Sequence, residues 1–326
     1  MGFFRRQRTE GPRTRIFVAT DVHGSERCFR KWLNAAEVYE VQALVLGGDI
    51  TGKLLVPIVA GEDGWTAEVH GEEVHAADAA ELEELRTRIR MMGRYDPIVS
   101  PEQRARLEEP GQVEALFGEV IREGVARWMG LLGERLADRG VAVYTMLGND
   151  DAPELAEVLR SSGTATYAED SIVELPGGFQ MLSVGHSTPT PWNTPRELPE
   201  EELGARIEAL AAQLEEPGQA VFNLHCPPAG THLDQAPELD ADLRPVMDSG
   251  GPVMASVGST AVRESIERHG PLLSLHGHVH ESPAIQRING TVCVNPGSDY
   301  GDGVLRGAIL ELERGRGVRT WQLVQA

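Results

Sequence analysis

The chain has 326 residues, a formal net charge of −20 at pH 7 and a hydrophobic content of 41%. This length is enough to bury a core without disulfides or a structural metal. The strong acidity argues against broad binding to nucleic acid or anionic membranes, which depends on clustered lysines and arginines. Three scattered cysteines favour a reducing compartment, and no stretch approaches the ~18 apolar residues of a membrane span. We therefore expect a soluble, cytoplasmic protein.

The first predicted elements alternate between strand and helix. After a basic, loose N-terminal arm at residues 1–13, an apolar strand is predicted at 15–20, a helix at 26–37 and a second apolar strand at 43–46. A strand, helix, strand order forms a βαβ unit and implies a parallel sheet.

Residues 52–136 interrupt this alternation. The sequence predicts a small hairpin at 54–75 and helices near 77–92 and 101–138. This stretch is too long for a simple crossover between two strands. We interpret it as an insertion, either a cap or a dimerisation arm that could support a homodimer, within a single domain that spans residues 1–326.

The second half returns to apolar strands separated by helices and loops. The strand at 141–146 ends in Leu147-Gly148-Asn149-Asp150-Asp151, where Asp151 is predicted to be the N-cap of a helix that begins near Pro153. Residues 229–259 are expected to form an ordered loop with little regular structure, and the three tail strands are expected to close a second sheet. The other predicted elements are strands at 171–175, 179–185, 219–224 and 272–275, helices at 200–215 and 262–269, and tail strands at 291–296, 306–313 and 318–324.

Five of the predicted strands end in polar residues that can bind a metal. Any one of them alone is more often structural, but α/β sheets place their ligand chemistry at strand ends, and seven such residues at five ends make coincidence a poor explanation. Carboxylates, imidazoles and an amide oxygen suit borderline divalent ions, whereas the cysteines lack the spacing of a thiolate zinc site. The residues are Asp21, His23, Asp49, Asn149, His225, His278 and His280.

This series of motifs resembles the calcineurin-like metallophosphoesterase superfamily. Asp21-Val22-His23, Gly48-Asp49, Gly148-Asn149, His225 and Gly277-His278-Val279-His280 occur in the order of the family's five motifs, between residues 16 and 298. The stretches 186–197, 225–228 and 294–300 are similar to the Icc-related predicted phosphoesterases of that superfamily. The resemblance implies an α/β fold, a four-layer αββα sandwich of two mixed sheets, carrying the helical and hairpin insertion described above.

The resemblance also implies a centre with two divalent metal ions, with Mn²⁺ favoured and Fe, Zn or Ni as alternatives. One ion would be held by Asp21, His23, Asp49 and His280, and the other by Asp49, Asn149, His225 and His278, so that Asp49 bridges them. The implied reaction is hydrolysis of a phosphoester by in-line attack of a hydroxide that bridges the two metals. The residues expected to be catalytic are Asp49, Asn149, Asp150 and His278.

Asp150 departs from the family pattern, because most members carry a histidine that contacts the phosphate and protonates the leaving group. An aspartate beside two cations stays ionised near neutral pH, so Asp150 is a poor general acid and repels a phosphate dianion. This favours phosphodiesters and leaving groups that need little protonation. Alternatively another residue donates the proton, with His186, His276 and Tyr300 as candidates.

The sequence therefore predicts a metal-dependent phosphoesterase and favours a phosphodiesterase that acts on a small phosphoester, with no long nucleic acid and no membrane as partner. A phosphomonoesterase or nucleotidase is the alternative enzyme. A non-catalytic metal-binding scaffold is the alternative from a different class, and the missing histidine is the feature that favours it.

Overall fold

The computed structural model describes residues 13–326, so the N-terminal arm predicted for residues 1–13 lies outside the described residues except for Arg13, which begins the first strand. The helices are α1 (Glu26–Val38), α2 (Ala79–Met91), α3 (Pro101–Arg106), α4 (Gln112–Leu136), α5 (Leu155–Ser161), α6 (Glu200–Ala211) and α7 (Thr260–His269), with 3₁₀ turns at Pro217–Gln219 and Tyr300–Asp302. The strands are β1 (Arg13–Ala19), β2 (Ala43–Gly47), β3 (Leu54–Leu55), β4 (Ile58–Gly61), β5 (Gly64–Val69), β6 (Glu72–Ala76), β7 (Arg94–Tyr95), β8 (Ile98–Val99), β9 (Ala142–Met146), β10 (Thr166–Tyr167), β11 (Ile172–Leu175), β12 (Phe179–Val184), β13 (Val221–Leu224), β14 (Gln235–Pro237), β15 (Met247–Asp248), β16 (Gly251–Pro252), β17 (Met254–Ser256), β18 (Leu273–Leu275), β19 (Ala284–Ile288), β20 (Thr291–Asn295), β21 (Arg306–Glu313) and β22 (Gly317–Gln325).

Two mixed six-stranded sheets form the centre of the molecule. The first has the order β10-β9-β2-β1-β21-β22, in which the first four strands are parallel and the last two are antiparallel. The second has the order β11-β12-β13-β18-β20-β19, in which the four inner strands are parallel and the two edge strands are antiparallel. Each sheet therefore collects the carboxyl ends of four parallel strands along one edge, and the predicted mixed α/β fold is confirmed.

Three hydrophobic clusters contain most of the buried apolar residues among residues 13–326. One joins α1, α4 and α5 to one face of the first sheet, with Phe29 stacked on Trp128 at 4.2 Å between ring centroids. A second contains residues of both sheets, such as Val18 and Met181. The third joins α6 and α7 to the second sheet through residues such as Ile207. The apolar positions of each strand thus anchor both sheets, and with them the loops that follow the strands.

The insertion at residues 52–136 contains its own small sheet, of order β6-β5-β4-β8, with a separate cluster that includes Ile58 and Ile89. Its last helix, α4, packs into the cluster with α1 through Trp128 and Leu132. Its proposed role as a cap or a dimerisation arm stays a prediction. No helix within residues 13–326 combines the length and the apolar character that crossing a membrane requires.

Three sequence predictions about individual elements need correction. Of the three tail strands, only β20 belongs to the second sheet, because β21 pairs with β1 in the first sheet, with Ile16 opposite Leu310, and β22 follows it. Asp151 is not a helix cap, since α5 begins at Leu155 and Glu154 precedes it. Residues 229–259 contain two short antiparallel strand pairs, β14 with β17 and β15 with β16.

Candidate metal centre

The loops that follow five parallel strands bring the seven predicted ligands together. Asp21 and His23 follow β1, Asp49 follows β2 and Asn149 follows β9 in the first sheet, whereas His225 follows β13 and His278 and His280 follow β18 in the second. Backbone hydrogen bonds join adjacent loops: Asp21 N–H donates to Gly48 O at 3.0 Å, and His23 N–H donates to Asp49 O at 3.0 Å. The site therefore lies where the carboxyl-end edges of the two sheets meet.

The first group of possible ligands consists of Asp21, His23 and His280, whose side-chain ligand atoms lie within 4.8 Å of one another. His280 Nε2 lies 3.3 Å from Asp21 Oδ1 and 3.3 Å from His23 Nε2. His23 Nδ1 lies 3.3 Å from Thr51 O, so a proton on Nδ1 leaves the Nε2 lone pair directed at His280. Two imidazole nitrogens and a carboxylate thus converge on one point.

The second group consists of Asp49, His225 and His278, again within 4.8 Å. His225 Nδ1 donates to Gly47 O at 2.9 Å, which directs Nε2 toward Asp49 Oδ2 at 3.4 Å. Asn149 joins this group, because its Oδ1 lies 2.7 Å from His278 Nδ1. Asp49 lies between the two groups, with Oδ2 also 3.7 Å from His23 Nε2.

Backbone conformation at the ligands is unusual. Asp21, His23, Asp49 and His278 have φ values of 52°, 39°, 49° and 68°, in the left-handed region that non-glycine residues seldom occupy. Such conformations cost free energy and concentrate at functional sites. Close packing adds a second constraint: a Cβ on Gly148 would overlap the Asp49 carboxylate, so a glycine is required there.

Charge and burial oppose each other at the two aspartates. Burial would raise the pKa of Asp21, but the hydrogen bond with His280 and the charge of His225 lower it to about 2. Burial would likewise raise the pKa of Asp49, but His225 and His23 hold it well below its ordinary value. Both carboxylates therefore stay ionised, as metal ligands must.

The histidines divide into two classes. Burial lowers the pKa of His278 to about 4, helped by the charge of His225, and burial also lowers the pKa of His23, so both imidazoles are neutral. Burial would lower the pKa of His225 as well, but the charges of Asp49 and Asp21 raise it to about 10. Without a cation, the proton on His225 is what compensates these buried carboxylates.

The residues fit a pair of divalent cations. His225 Nε2 is buried and has no hydrogen-bond partner within the described residues, although a buried polar atom without a partner is costly. His23 Nε2 and His280 Nε2 face each other at a distance where only one of them can carry a proton. Carboxylate, imidazole and amide donors in this mixture suit borderline metals such as Mn²⁺, Fe²⁺, Zn²⁺ or Ni²⁺.

Asp150 lies at the same site but is bound to a residue that the sequence reasoning missed. Its carboxylate forms an ion pair with Lys53 and lies within 4.8 Å of ligand atoms of His23 and Asp49, while its backbone N–H donates to Asp49 Oδ1 at 2.9 Å. Burial would lower the pKa of Lys53, but the Asp150 carboxylate raises it, so Lys53 stays cationic. One signal for Lys53 was available, since only two lysines occur in the chain and this one follows the Asp49 loop.

The three proposed proton donors have different surroundings. The Tyr300 ring lies 4.6 Å from the His23 ring and 5.8 Å from the His280 ring, measured between centroids. His276 Nδ1 donates to the carbonyls of Leu224 and Cys226, which flank His225, and its pKa falls to about 4 on burial. His186 Nδ1 lies 3.6 Å from Glu169 Oε1. Of the three, Tyr300 packs directly against predicted ligands, and the identity of the donor stays a prediction.

Two further residues hold the Asn149 loop and were not singled out from the sequence. Asn149 Nδ2 donates to Thr194 Oγ1 at 2.9 Å, which directs Oδ1 toward His278. Arg196 donates its backbone N–H to Asn149 O and Nη1 to Gly148 O. Both belong to the proline-rich loop after β12, whose side-chain roles depend on contacts distant in sequence.

Comparison with known proteins adds one relative and several solved structures. No protein-family model matches the chain. Uncharacterized protein MJ1162 of Methanocaldococcus jannaschii is 30% identical over 168 residues, which cover 50% of this chain and 68% of that protein. The crystal structure of TT1561 of Thermus thermophilus has a TM-score of 0.52 at 15% identity and covers 97% of this chain and 99% of that one. Another solved structure has a TM-score of 0.57 at 17% identity, with 96% and 99% covered.

The similarity to these two structures establishes the fold alone. The ligand motifs indicate in addition that the site can bind metal ions. All seven ligand-type residues stand at the strand ends in the order of the superfamily's motifs. Six of them form two adjoining candidate metal groups, and Asn149 contacts His278 of the second group. The chain belongs to the same family as the M. jannaschii protein, and its ligand motifs resemble those of the calcineurin-like metallophosphoesterase superfamily.

Proposed function

We propose that the protein is a metal-dependent phosphoesterase and that it acts preferentially on phosphodiesters. The observation that carries the proposal is the convergence of two ligand groups on Asp49, with His225 Nε2 buried, 3.4 Å from Asp49 Oδ2 and without a hydrogen-bond partner within the described residues. A structural cluster would satisfy that nitrogen within the protein, whereas a metal site leaves it directed at the ion.

We assign one ion to Asp21, His23, Asp49 and His280 and the other to Asp49, Asn149, His225 and His278, with Mn²⁺ as the favoured metal. The position of Asp49 between the two groups supports its role as the shared ligand. When bound, two such ions supply Lewis-acid polarisation of the phosphoryl group and activation of a water molecule.

The side chains around these ligands have separate tasks. The backbone N–H of Asp150 holds Asp49 Oδ1, and Thr194 orients the Asn149 amide. Lys53 places a fixed positive charge at the mouth of the site, where it can attract an anionic phosphoester. Since Lys53 stays protonated, its task is electrostatic rather than proton transfer.

The preference for diesters follows from Asp150. Its carboxylate stands where most superfamily members carry a histidine, and a singly charged diester is repelled less than a dianionic monoester. The ion pair with Lys53 reduces this repulsion, which is the specific observation in favour of the second candidate, a phosphomonoesterase or nucleotidase.

We also propose a four-layer arrangement of the helices and sheets, a cytoplasmic location and a small substrate. The succession of helix-to-sheet, sheet-to-sheet and sheet-to-helix clusters supports a four-layer αββα order. Three free, buried cysteines support a cytoplasmic location. The net charge of −20 supports a small phosphoester rather than long nucleic acid as substrate.

The test is hydrolysis of bis-p-nitrophenyl phosphate and p-nitrophenyl phosphate with added Mn²⁺, Fe²⁺, Zn²⁺ or Ni²⁺. We expect faster turnover of the diester, at least a thousandfold loss in Asp49→Asn, and no change in His232→Ala, which replaces an exposed histidine. A faster monoester reaction would favour the second candidate. Stoichiometric metal binding without turnover of either ester would favour the non-catalytic scaffold.

A further inference from the structure

A cavity of about 400 Å³ adjoins the candidate metal centre. Four predicted ligands, Asp49, Asn149, His278 and His280, line one part of it. Much of the remaining lining is apolar and comes from two loops that follow strands of the second sheet. The apolar lining contributed by these two loops includes Trp192, Leu239, Leu243, Pro245 and Val257.

Trp192 is presented to this cavity rather than packed into the protein. It is 65% exposed and belongs to none of the hydrophobic clusters of residues 13–326. Its loop is nevertheless fixed, because Glu197 Oε1 accepts hydrogen bonds from Thr190 Oγ1 at 2.5 Å and from Thr194 Oγ1 at 2.7 Å. An exposed indole on a fixed loop is preorganised to stack on a ligand.

The aliphatic part of the lining is also ordered by the protein. These aliphatic residues belong to the segment 229–259. The fully buried Asp234 accepts hydrogen bonds from the backbone N–H groups of Gly230, Thr231 and Gly258, and so joins the two ends of this segment. Within the segment, β14 and β17 pair with Ala236 opposite Ala255. This part of the lining therefore forms without a ligand.

Several of the exposed apolar side chains lie together in the lining of this cavity. Of the ten large hydrophobic residues exposed within residues 13–326, Trp192, Leu243 and Val257 line this one cavity. Single exposed apolar residues are ordinary, but a group beside polar ligands is typical of a binding site. Lys53 is the only lysine or arginine in the described lining and is already paired with Asp150, so the cavity offers no free cation for a second phosphate.

We propose that this apolar lining is a subsite for one uncharged aromatic ring of the phosphoester substrate, with Trp192 as the stacking residue. The inference rests on the proposed phosphoesterase function and specifies its substrate class. The cavity volume suits a single small ester that carries one ring system, and the missing second cation disfavours polyphosphorylated or polymeric esters.

Binding of phosphonates to the Mn²⁺-loaded protein tests the subsite without turnover, because the P–C bond is not hydrolysed. Calorimetry would compare methylphosphonate, butylphosphonate and phenylphosphonate. We expect phenylphosphonate to bind about tenfold more tightly than methylphosphonate and more tightly than butylphosphonate, because a planar ring stacks on the indole. In Trp192→Ala this preference should fall to about twofold, while methylphosphonate affinity stays unchanged.

Trp321→Ala is the matched control, since Trp321 is 41% exposed, packs against Arg287 and is not part of the lining of this cavity. It should retain the full preference for phenylphosphonate. Equal binding of the three phosphonates, butylphosphonate binding as tight as phenylphosphonate binding, or a preference that survives Trp192→Ala would overturn the subsite. If bis-p-nitrophenyl phosphate is still hydrolysed in that case, only the subsite fails. If there is neither phosphonate binding nor hydrolysis, the proposed function fails with it.

Discussion

Lys53 forms an ion pair with Asp150 at the mouth of the candidate metal centre. The pair joins the loop that follows β2 to the loop that follows β9, and it holds a cation beside the position where most superfamily members carry a histidine. The sequence alone suggested an ionised carboxylate there, which would repel a phosphate dianion. The positive charge of Lys53 offsets the negative charge of Asp150, so Lys53 affects how strongly the site attracts anions.

Replacement of Lys53 by methionine should therefore weaken the reaction with anionic esters. We expect kcat/KM to fall about tenfold for bis-p-nitrophenyl phosphate and further for the dianionic monoester, because Asp150 is then uncompensated. Steady-state kinetics with both esters measures the effect. Lys31→Met, which changes the other lysine of the chain, is the control and should leave both rates unchanged. Equal rates in Lys53→Met and the parent protein would remove Lys53 from the proposed mechanism.

Asp150→His should shift the preference toward esters with poor leaving groups. A histidine at this position can donate a proton, and general acid catalysis contributes ~10²–10⁴-fold where leaving groups need it. We expect turnover of an alkyl monoester to rise at least tenfold relative to that of an aryl diester, as measured by phosphate release and by p-nitrophenolate absorbance. An unchanged ratio would mean that another group, such as Tyr300, already protonates the leaving group.

Local sequence patterns predicted the elements that carry the site. The apolar run of β1, the amphipathic face of α1 and the apolar run of β2 occur as expected, and Phe29, Trp32 and Leu33 are buried. Strand ends could be recognised because a buried apolar run stops at a polar residue. The convergence of Asp21, Asp49 and His225 then follows from the parallel arrangement of the strands.

Long-range pairing could not be predicted in the same way. The alternating pattern of β21 buries Leu310 and Leu312 equally well in either sheet, and only its register against β1 assigns it to the first. Lys53 lies at the start of the insertion, and no pattern in the neighbouring residues indicates that its side chain reaches Asp150 in the loop after β9. Asp151 has the position of a helix cap in the sequence but binds the neighbouring loop instead.

Metal binding should stabilise the protein measurably. The unfolded chain lacks the assembled ligand set, so an ion that binds the folded state adds about 2.7 kcal/mol at a concentration of 100 times Kd. We expect Mn²⁺ added to chelator-treated protein to raise the melting temperature in differential scanning fluorimetry. The increase should be smaller in His225→Gln, which removes a ligand of one of the two ions, and fully retained in His232→Ala. If His225→Gln retains the full increase, His225 is not a ligand.

Asp151 should contribute more to stability than Asp150, although both are aspartates in one loop. Asp151 is completely buried and accepts hydrogen bonds from Gly148 N–H at 2.8 Å, Ile50 N–H at 3.1 Å, Thr51 N–H at 2.9 Å and Thr51 Oγ1 at 2.6 Å. Asparagine would direct an amide N–H₂ at one of these donors, so Asp151→Asn should lower the free energy of unfolding by about 2–3 kcal/mol.

Urea unfolding of the metal-free protein measures this difference, with Asp150→Asn as the matched control. That substitution removes only a partly exposed ion pair and should cost less than about 1 kcal/mol. Since Asp151 ties the Asn149 loop to the Asp49 loop, Asp151→Asn should also weaken Mn²⁺ binding at least tenfold in calorimetry. A stability loss without weaker metal binding would mean that the hydrogen bond from Asp150 N–H to Asp49 Oδ1 and the ion pair of Lys53 with Asp150 keep the two loops in place without Asp151.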